Sequence, residues 1–261
     1  MAALRAFRDF VGETGFRIDL LFQVVLRLHH IPRRRRWLMD QLYTSGVQNL
    51  HVILLVGLFI GMIFALQTGI ELAKFGQQDQ IGLIVATGIA REMGPFITGI
   101  ILAATVGSAL AAELGTMAVS DELAALETLS IDRTSLLVLP RVASLAIMCP
   151  MLTVVCDLIS IMGGGFVAQA QLHVSWALYS DTAISALQMP SEMLGLPKDV
   201  YAGLFKSFVF GIIVAVISCA SGLKVRGGAL GVGSGTRQAV RDSIIAIIVA
   251  NYFLTWFIYQ T

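Results

Sequence analysis

The sequence is poor in charge and in cysteine. Only 13% of its 261 residues are charged, about half the density of an average soluble domain. This composition excludes an ordinary soluble domain, and the mean hydropathy of +0.80 predicts a protein of the lipid bilayer. The three cysteines, Cys149, Cys156 and Cys219, lie in apolar stretches, where the favoured role is packing as small hydrophobic residues.

Motifs that bind nucleotides or metals are also missing. The sequence has no GxxxxGK[ST] motif, so this chain is not expected to hold nucleotide phosphates in a P-loop. It has no CxxC or HExxH spacing, and its four histidines are scattered, so no metal is predicted. The net charge of +1 gives no reason to expect a nucleic-acid partner. The glycine-rich run 227–235 lacks the P-loop lysine and is interpreted as a flexible cytoplasmic turn.

Five apolar stretches are long enough to cross a bilayer as helices, for which about 20 residues are needed. They are residues 50–72, 81–112, 135–167, 201–222 and 241–260. The second and third are too long for one straight crossing, and Pro95 offers a kink in the second. Glycines 163–165 are expected to end the third span, and 168–199 is expected to be extramembrane with one short helix. The prediction is an all-α, polytopic membrane protein with a single domain, 1–261.

The N-terminal segment 1–48 is expected to lie in the membrane interface. Apolar residues recur three or four apart between arginines, as in interfacial helices. No signal-peptide pattern is present, so no processing is expected. A basic elbow with an aromatic residue follows and is predicted to anchor the chain to anionic headgroups, the alternative being a solvated basic run. The elbow residues are Arg33, Arg34, Arg35, Arg36 and Trp37.

The distribution of basic residues predicts the orientation. Of the eighteen lysines and arginines, twelve lie before the first span, between the second and third, or between the fourth and fifth, and two more, Arg141 and Arg241, lie at the adjoining ends of the third and fifth spans. Lys74, Lys198 and Lys206 are assigned to the other side, and Arg91 to a span. By the positive-inside rule, the N-terminus is predicted to be cytoplasmic and the C-terminus periplasmic.

Two ladders of small residues predict close helix contacts. In the first span they are Gly57, Gly61, Ala65 and Gly69, and in the second Ala103, Gly107, Ala111 and Gly115. Small residues four apart let two helix backbones approach each other in lipid. The sequence leaves open whether the neighbouring helix belongs to the same chain.

An acidic connection, residues 113–133, follows the second span. Ser120 is predicted to be the N-cap of a short surface helix, with Leu123, Leu126 and Ser130 on one face. Its acidic excess suits a basic groove better than an anionic leaflet, the alternative being a solvated loop. The candidate docking residues are Glu113, Asp121, Glu122, Leu123, Leu126 and Glu127.

Arg91 and Glu92 are adjacent charges within an apolar span. Neighbours on a helix point about 100° apart and cannot pair well, while burying either alone costs roughly 3 kcal/mol or more. Each therefore needs another partner or a wet cavity. We hypothesise that Arg91 contacts Asp157 in a polar site for a lipid headgroup, with Glu92 lining the same cavity. A purely structural buried network is the alternative.

Four ordered motifs carry a resemblance to a known family. They are REMGP at 91–95, AAELGTM at 111–117, DELAALETLSID at 121–132 and LPR at 139–141. Together they resemble the MlaE family, the permease subunits of bacterial ABC transporters that move phospholipids, over roughly residues 40–260. Two departures are Ser130 and Arg133, where family members often have Gly and Pro.

The resemblance implies a non-enzymatic, homodimeric subunit in the bacterial inner membrane. It implies that a coupling helix at about 116–131 docks into a separate cytoplasmic ABC ATPase, which binds the ATP, so that this chain needs no cofactor. Further implied partners are a periplasmic MCE-domain lipid-binding protein, a cytoplasmic STAS-domain subunit and the transported phospholipid. Other hypotheses are an ion-coupled secondary transporter that uses Arg91, Glu92 and Asp157, and a non-transporting membrane scaffold.

Overall fold

A computed structural model describes residues 2–27, 35–188 and 198–260, and within these ranges the chain is helical without strands. The α-helices in chain order are α1 Ala2–Leu26, α2 Arg35–Ser45, α3 Leu50–Lys74, α4 Ile81–Gly88, α5 Gly94–Leu102, α6 Ser108–Val119, α7 Glu122–Thr128, α8 Leu139–Gln171, α9 Trp176–Leu187, α10 Lys198–Leu223 and α11 Gly228–Gln260. Short π-helical turns, Ile89–Met93, Ala103–Gly107 and Thr134–Val138, precede α5, α6 and α8.

Among the described residues, five helical stretches are long and apolar enough to cross a membrane. They are Arg36–Lys74, Gln78–Val119, Thr134–Gln171, Lys198–Leu223 and Gly228–Gln260. This confirms the predicted all-α, five-span architecture. The side of the membrane on which each end lies stays a prediction.

The chain divides into two compact units. One contains Met1–Val47, Leu102–Met148 and Phe210–Val249, and the other contains Gln48–Ile101, Cys149–Val209 and Ala250–Thr261. We call them unit 1 and unit 2 and describe the packing of each by itself.

In unit 2, the small residues of α3 bring that helix against α8. The Ser160 hydroxyl donates to the Gly57 carbonyl over 2.8 Å. Gly61 faces the backbone of Ser160 so closely that a β-carbon at position 61 would overlap the Ser160 carbonyl. The first ladder therefore contacts a helix of the same chain, which answers the question that the sequence leaves open for these residues.

Glycines 163–165 do not end a helix, contrary to the prediction, because α8 continues to Gln171. Their missing side chains serve packing instead. A β-carbon at Gly163 would lie 2.6 Å from the Leu58 carbonyl oxygen, and one at Gly165 would lie 2.6 Å from the Trp176 ring. Such close neighbours explain why glycine is tolerated inside this helix.

The short helix expected within 168–199 is α9. Its N-cap is Ser175, whose hydroxyl accepts from the Leu178 N–H over 3.3 Å. Tyr179 is buried, and its hydroxyl donates to the Ile161 carbonyl over 2.9 Å. Burial raises the pKa of Tyr179, so the hydroxyl keeps the proton that it donates.

In unit 1, the second ladder faces α10. A β-carbon at Gly107 would lie 2.8 Å from the Ser218 hydroxyl oxygen, and one at Gly115 would lie 3.0 Å from Val225. The glycine-rich run is mostly helical, so its interpretation as a flexible turn is wrong: α11 already begins at Gly228. The turn is confined to residues 224–227. Gly227 ends it with φ of +90°, and Gly228 begins α11 with φ of +70°.

The basic elbow is only partly described. Arg33 and Arg34 lie outside the described residues, and Arg35 begins α2. Arg36 and Trp37 lie on α2 and are exposed. Exposure of the aromatic ring is compatible with the predicted membrane anchor, which stays a prediction.

The contact between α3 and α8 predicts the effect of a single methyl group. Gly61→Ala should destabilise the protein by about 1–3 kcal/mol, because the new β-carbon meets backbone that cannot rotate away. Gly15→Ala is the matched control: position 15 of α1 is exposed with nothing within 4 Å, so it should be neutral or stabilising by up to about 1 kcal/mol. Thermal unfolding in detergent measures both, and an unchanged Gly61→Ala protein would contradict the packing.

Candidate functional site

A proline opens the backbone where the charged pair lies. Pro95 has no N–H, so the carbonyl of Arg91, four residues earlier, loses its α-helical donor. The chain forms the π-helical turn Ile89–Met93 at this point, and the Gly94 N–H bonds the Ile89 carbonyl. The Arg91 carbonyl is thereby free to accept a side-chain donor.

That donor is Lys206 of α10. Its side chain is 0% exposed, and its Nζ donates to the Arg91 carbonyl oxygen over 3.1 Å. The same Nζ lies 2.5 Å from Glu92 Oε1 and 2.8 Å from the Thr255 hydroxyl oxygen. An ammonium group has three donors, and all three are used. This satisfaction is what makes a fully buried lysine tolerable.

Glu92 collects donors from two helices. Besides Lys206 of α10, it accepts from the Asn251 amide at Oε2 over 3.0 Å, and the Thr255 hydroxyl lies 2.9 Å from Oε1. Asn251 and Thr255 are four apart on α11, so they present one face to the carboxylate. Glu92 therefore ties the π-helical turn to both α10 and α11 in unit 2.

Arg91 forms a second ion pair beside the first. Its Nε and one terminal nitrogen lie 2.9 and 2.8 Å from Asp199 Oδ1. The guanidinium carbon lies 4.4 Å from the centre of the Tyr259 ring, and the Tyr259 hydroxyl donates to the same Asp199 oxygen over 2.9 Å. The Arg91 side chain remains 42% exposed, so this cation can meet a further anion whereas Lys206 cannot.

The hypothesised Arg91–Asp157 contact is wrong, because Arg91 pairs with Asp199. Asp199 lies in the first turn of α10, where Tyr259 also reaches it. Asp157 lies instead against Gly94, at a place where a β-carbon would overlap its carboxylate. Asp157 Oδ1 is buried and has no hydrogen-bond partner within the part of the chain that the structure describes. The expectation that Arg91 and Glu92 need separate partners is confirmed.

Sequence reasoning missed five residues of this site: Asp199, Lys206, Asn251, Thr255 and Tyr259. A signal existed for Lys206, which falls inside the predicted fourth span although it was assigned to the outer side. A lysine within a span requires a counter-charge, and Glu92 was an available carboxylate in another span. The polar residues of α11 carry no comparable signal.

The acidic connection contains a second candidate site, centred on α7. Its N-cap is Asp121, with φ of +59°, and not Ser120 as predicted. The Ser120 hydroxyl donates back to the Thr116 carbonyl over 2.9 Å, so Ser120 closes the preceding helix, α6. Because Ser120 is the C-cap of α6, the N-cap of α7 falls one residue later, at Asp121.

The C-terminal end of α7 shows why position 130, where this chain departs from the family pattern, favours glycine. The Ile131 N–H bonds the Leu126 carbonyl and the Ser130 N–H bonds the Glu127 carbonyl, both over 3.0 Å. This is the Schellman arrangement, which places the residue directly after the C-cap in the left-handed region. Ser130 has φ of +57°, where glycine is the favoured residue.

Most acids of the connection are already paired. Glu113 binds Arg141 over 3.0 Å, Glu127 binds Arg133 over 2.5 Å, and Asp132 binds Arg27. Asp121 and Glu122 are exposed and have no ion pair with any described residue. They are the acids of α7 that remain for a basic partner.

The leucines of α7 divide between the protein and its surface. Leu123 is buried and Leu126 is half-buried, so both hold α7 in place. Leu129, just beyond the helix, is 68% exposed. An exposed leucine next to two unpaired acids makes a small amphipathic surface, which we call the α7 surface and define as Asp121, Glu122 and Leu129.

Within the described residues, no group of three or more His, Cys, Asp or Glu side chains is arranged to hold a metal ion. The cysteines Cys149, Cys156 and Cys219 are buried. The chemistry of the site is therefore carried by ion pairs, hydrogen bonds and apolar surface.

Five spans, ion pairs inside them and an amphipathic surface between two of them define a polytopic membrane permease. Residues 38–257 match the family described as Permease MlaE, and the chain belongs to that family of ABC transporter permeases.

Relatives from distant organisms agree with this assignment. A probable ABC transporter permease protein of Synechocystis is 37% identical over 238 residues, covering 91% of this chain and 88% of the relative. A probable ABC transporter permease protein of Rickettsia conorii is 36% identical, covering 90% and 87%. Protein TRIGALACTOSYLDIACYLGLYCEROL 1, chloroplastic, of Arabidopsis thaliana is 37% identical, covering 91% of this chain and 66% of the plant protein.

The two lysine ion pairs of unit 2 predict a contrast in stability. Lys206→Met should cost about 3–5 kcal/mol, because it leaves the partly buried Glu92 without its cation and the Arg91 carbonyl without its donor. Lys74→Met is the matched control, since the Lys74–Glu71 pair has a similar length of 2.8 Å but is more than 60% exposed on both sides; it should cost less than about 1 kcal/mol. Thermal unfolding in detergent measures both changes.

The double variant Lys206→Met/Glu92→Leu separates charge from packing. Removing both partners should recover part of the loss, because no uncompensated charge remains. Equal losses of stability for Lys206→Met and Lys74→Met would contradict the claim that the buried ion pair stabilises the protein more than the exposed one.

Proposed function

We propose that this chain is the membrane-spanning subunit of an ATP-driven transporter that moves phospholipids between the bacterial inner membrane and the periplasm or outer membrane. The observation that carries the proposal is the α7 surface, which offers unpaired acids and an exposed leucine between two spans. A permease without a P-loop needs such a surface to receive energy from another subunit.

The proposed motor is a separate cytoplasmic ABC ATPase. Basic side chains in its groove would meet Asp121 and Glu122, while Leu129 would fill an apolar pocket. The buried Leu123 and the Schellman end hold α7 rigidly, so a movement of the ATPase is transmitted to the flanking spans rather than absorbed. The ATPase binds the ATP, and this chain performs no catalytic chemistry.

The proposed substrate follows from Arg91 and from one relative. Arg91 is held by Asp199 and Tyr259 but keeps an exposed fraction, which suits an anionic phosphate. The name of the Arabidopsis relative contains that of a galactolipid, which favours a lipid substrate here. Glu92 positions the backbone beside Arg91. Asp157 is the third proposed residue of this substrate-binding site.

The proposed assembly is a homodimer with a periplasmic MCE-domain protein and, on the cytoplasmic side, a STAS-domain subunit. Of the five candidate spans, α11 has the smallest share of its apolar residues buried within the chain. It therefore has surface for a second copy or for lipid. The location in the inner membrane, a role in outer-membrane lipid asymmetry, and the cytoplasmic N-terminus and periplasmic C-terminus belong to the same proposal.

An ion-coupled secondary transporter is the competing function. The observation that favours it is the buried Asp157 Oδ1, which has no hydrogen-bond partner among the described residues. Reconstituted protein distinguishes the two. Lipid movement that requires ATP and a co-purified ATPase supports the permease, whereas movement driven by a proton gradient without ATP contradicts it.

The α7 surface predicts which variants lose the ATPase. Asp121→Lys/Glu122→Lys and, separately, Leu129→Asp should abolish co-purification of the ATPase, because they oppose a basic groove and an apolar pocket. Glu71→Lys is the control, since Glu71 is an exposed acid elsewhere in the chain. Pull-down from membranes measures the retained ATPase. Retention by both α7 variants at the level of Glu71→Lys would contradict the proposed docking.

A further inference from the structure

Unit 1 contains a cavity of about 290 Å³ that the transport site does not use. It lies between α1 and the turn that joins α10 to α11, and Glu13, Phe16, Arg17, Ser221, Lys224 and Arg226 are among its lining residues. Three of these side chains are cations and one is a carboxylate. The cavity therefore has an excess of positive charge.

The charges of α1 in this cavity are already neutralised. Arg17 pairs with Asp242 and lies 3.7 Å from Glu13. The Glu13 carboxylate also accepts from the Gln238 amide over 3.1 and 3.2 Å. These contacts hold α1 against α11 and leave no acid of the lining free to balance the remaining cations.

Lys224 and Arg226 are the remaining cations. The Lys224 ammonium lies 4.2 Å from the centre of the Phe16 ring, which fixes it over the cavity. Neither Lys224 nor Arg226 forms an ion pair with any residue that the structure describes. Two cations on one short turn without a counter-charge favour binding of an anion.

A neutral hydroxyl completes the lining. The Ser221 hydroxyl oxygen is buried, and it has no hydrogen-bond partner among the described residues. A hydroxyl and two cations together match the oxygens of a phosphate.

The surroundings indicate where this phosphate comes from. The turn joins the ends of two candidate membrane spans, so it lies where spans leave the bilayer. On α1, Ile18 and Phe22 are exposed apolar side chains, and Leu230 at the start of α11 is also exposed. Apolar side chains beside a cationic cavity suit a lipid whose tails lie in the membrane.

We propose that this cavity binds the phosphate of an anionic phospholipid at the membrane surface, at a site composed of residues other than those around Lys206. Lys224, Arg226 and Ser221 bind the phosphate oxygens. Because α1 forms one wall, the bound lipid fastens α1 to the turn between α10 and α11. The proposal concerns binding alone and does not depend on the transport function.

The test compares two charge-matched double variants of the full chain. Lys224→Gln/Arg226→Gln removes the cavity cations, whereas Lys74→Gln/Arg237→Gln removes two exposed cations that do not line it. Each protein is reconstituted in nanodiscs of phosphatidylcholine with a minority of phosphatidylglycerol. Native mass spectrometry after transfer to mild detergent then measures the phosphatidylglycerol retained.

Wild type and the control variant should retain phosphatidylglycerol in preference to phosphatidylcholine, and the cavity variant should retain about tenfold less. Equal retention by the cavity variant and the control, or equal loss from both, would overturn the proposal. If the cavity variant misfolds, Ser221→Ala replaces it, and a smaller loss of phosphatidylglycerol is expected.

A final arm separates lipid from free phosphate. Excess inorganic phosphate in the buffer should leave the retained phosphatidylglycerol unchanged, because the membrane-bound tails add to the affinity of the headgroup. Displacement of the lipid by inorganic phosphate, or binding of inorganic phosphate without any retained phosphatidylglycerol, would overturn the assignment to a lipid.

Discussion

Unit 2 depends on one buried ammonium group. Lys206 Nζ satisfies a backbone carbonyl that Pro95 has freed and a partly buried carboxylate that would otherwise lack a cation. Each of the two defects would be costly by itself in an apolar environment, and one side chain compensates both. The proline, the π-helical turn and the lysine are therefore parts of one device.

This device determines what the site presents. Because Lys206 neutralises Glu92, the neighbouring Arg91 is free to pair with Asp199 and to keep an exposed face beside Tyr259. An arginine that is already held by a carboxylate and a ring loses little further conformational entropy when a ligand binds. This favours tight recognition of phosphate. The buried pair thus supports the cation proposed to meet the substrate.

Sequence patterns predicted the helical elements well, since long apolar stretches and small-residue ladders are local signals. They failed where the decision rests on contacts between elements. Three successive glycines at 163–165 predict the end of a helix, but in the structure Leu58 and Trp176 fill the space beside them and α8 continues. Gly228 likewise begins a helix, although Gly227 precedes it and three more glycines follow by residue 235.

The candidate sites show the same limit. Arg91 and Glu92 are visible as charges in an apolar span, but their partners Asp199 and Lys206 lie more than one hundred residues away. Distance along the chain gave no means to choose Asp199 over Asp157. For α7, the acidic composition was visible, whereas the pairing of Glu113, which removes it from the docking surface, required the position of Arg141.

The most direct test of the account is the lipid content of the purified protein. The comparison is made in Lys224→Gln/Arg226→Gln protein, so that the cavity between α1 and α11 holds no lipid. Lipid extraction and mass spectrometry on the complex should find phospholipid bound to this protein and lost when Arg91→Ala is added. Retention of the same phospholipid after Arg91→Ala, or its absence while Arg91 is present, would contradict the claim that Arg91 binds the transported lipid.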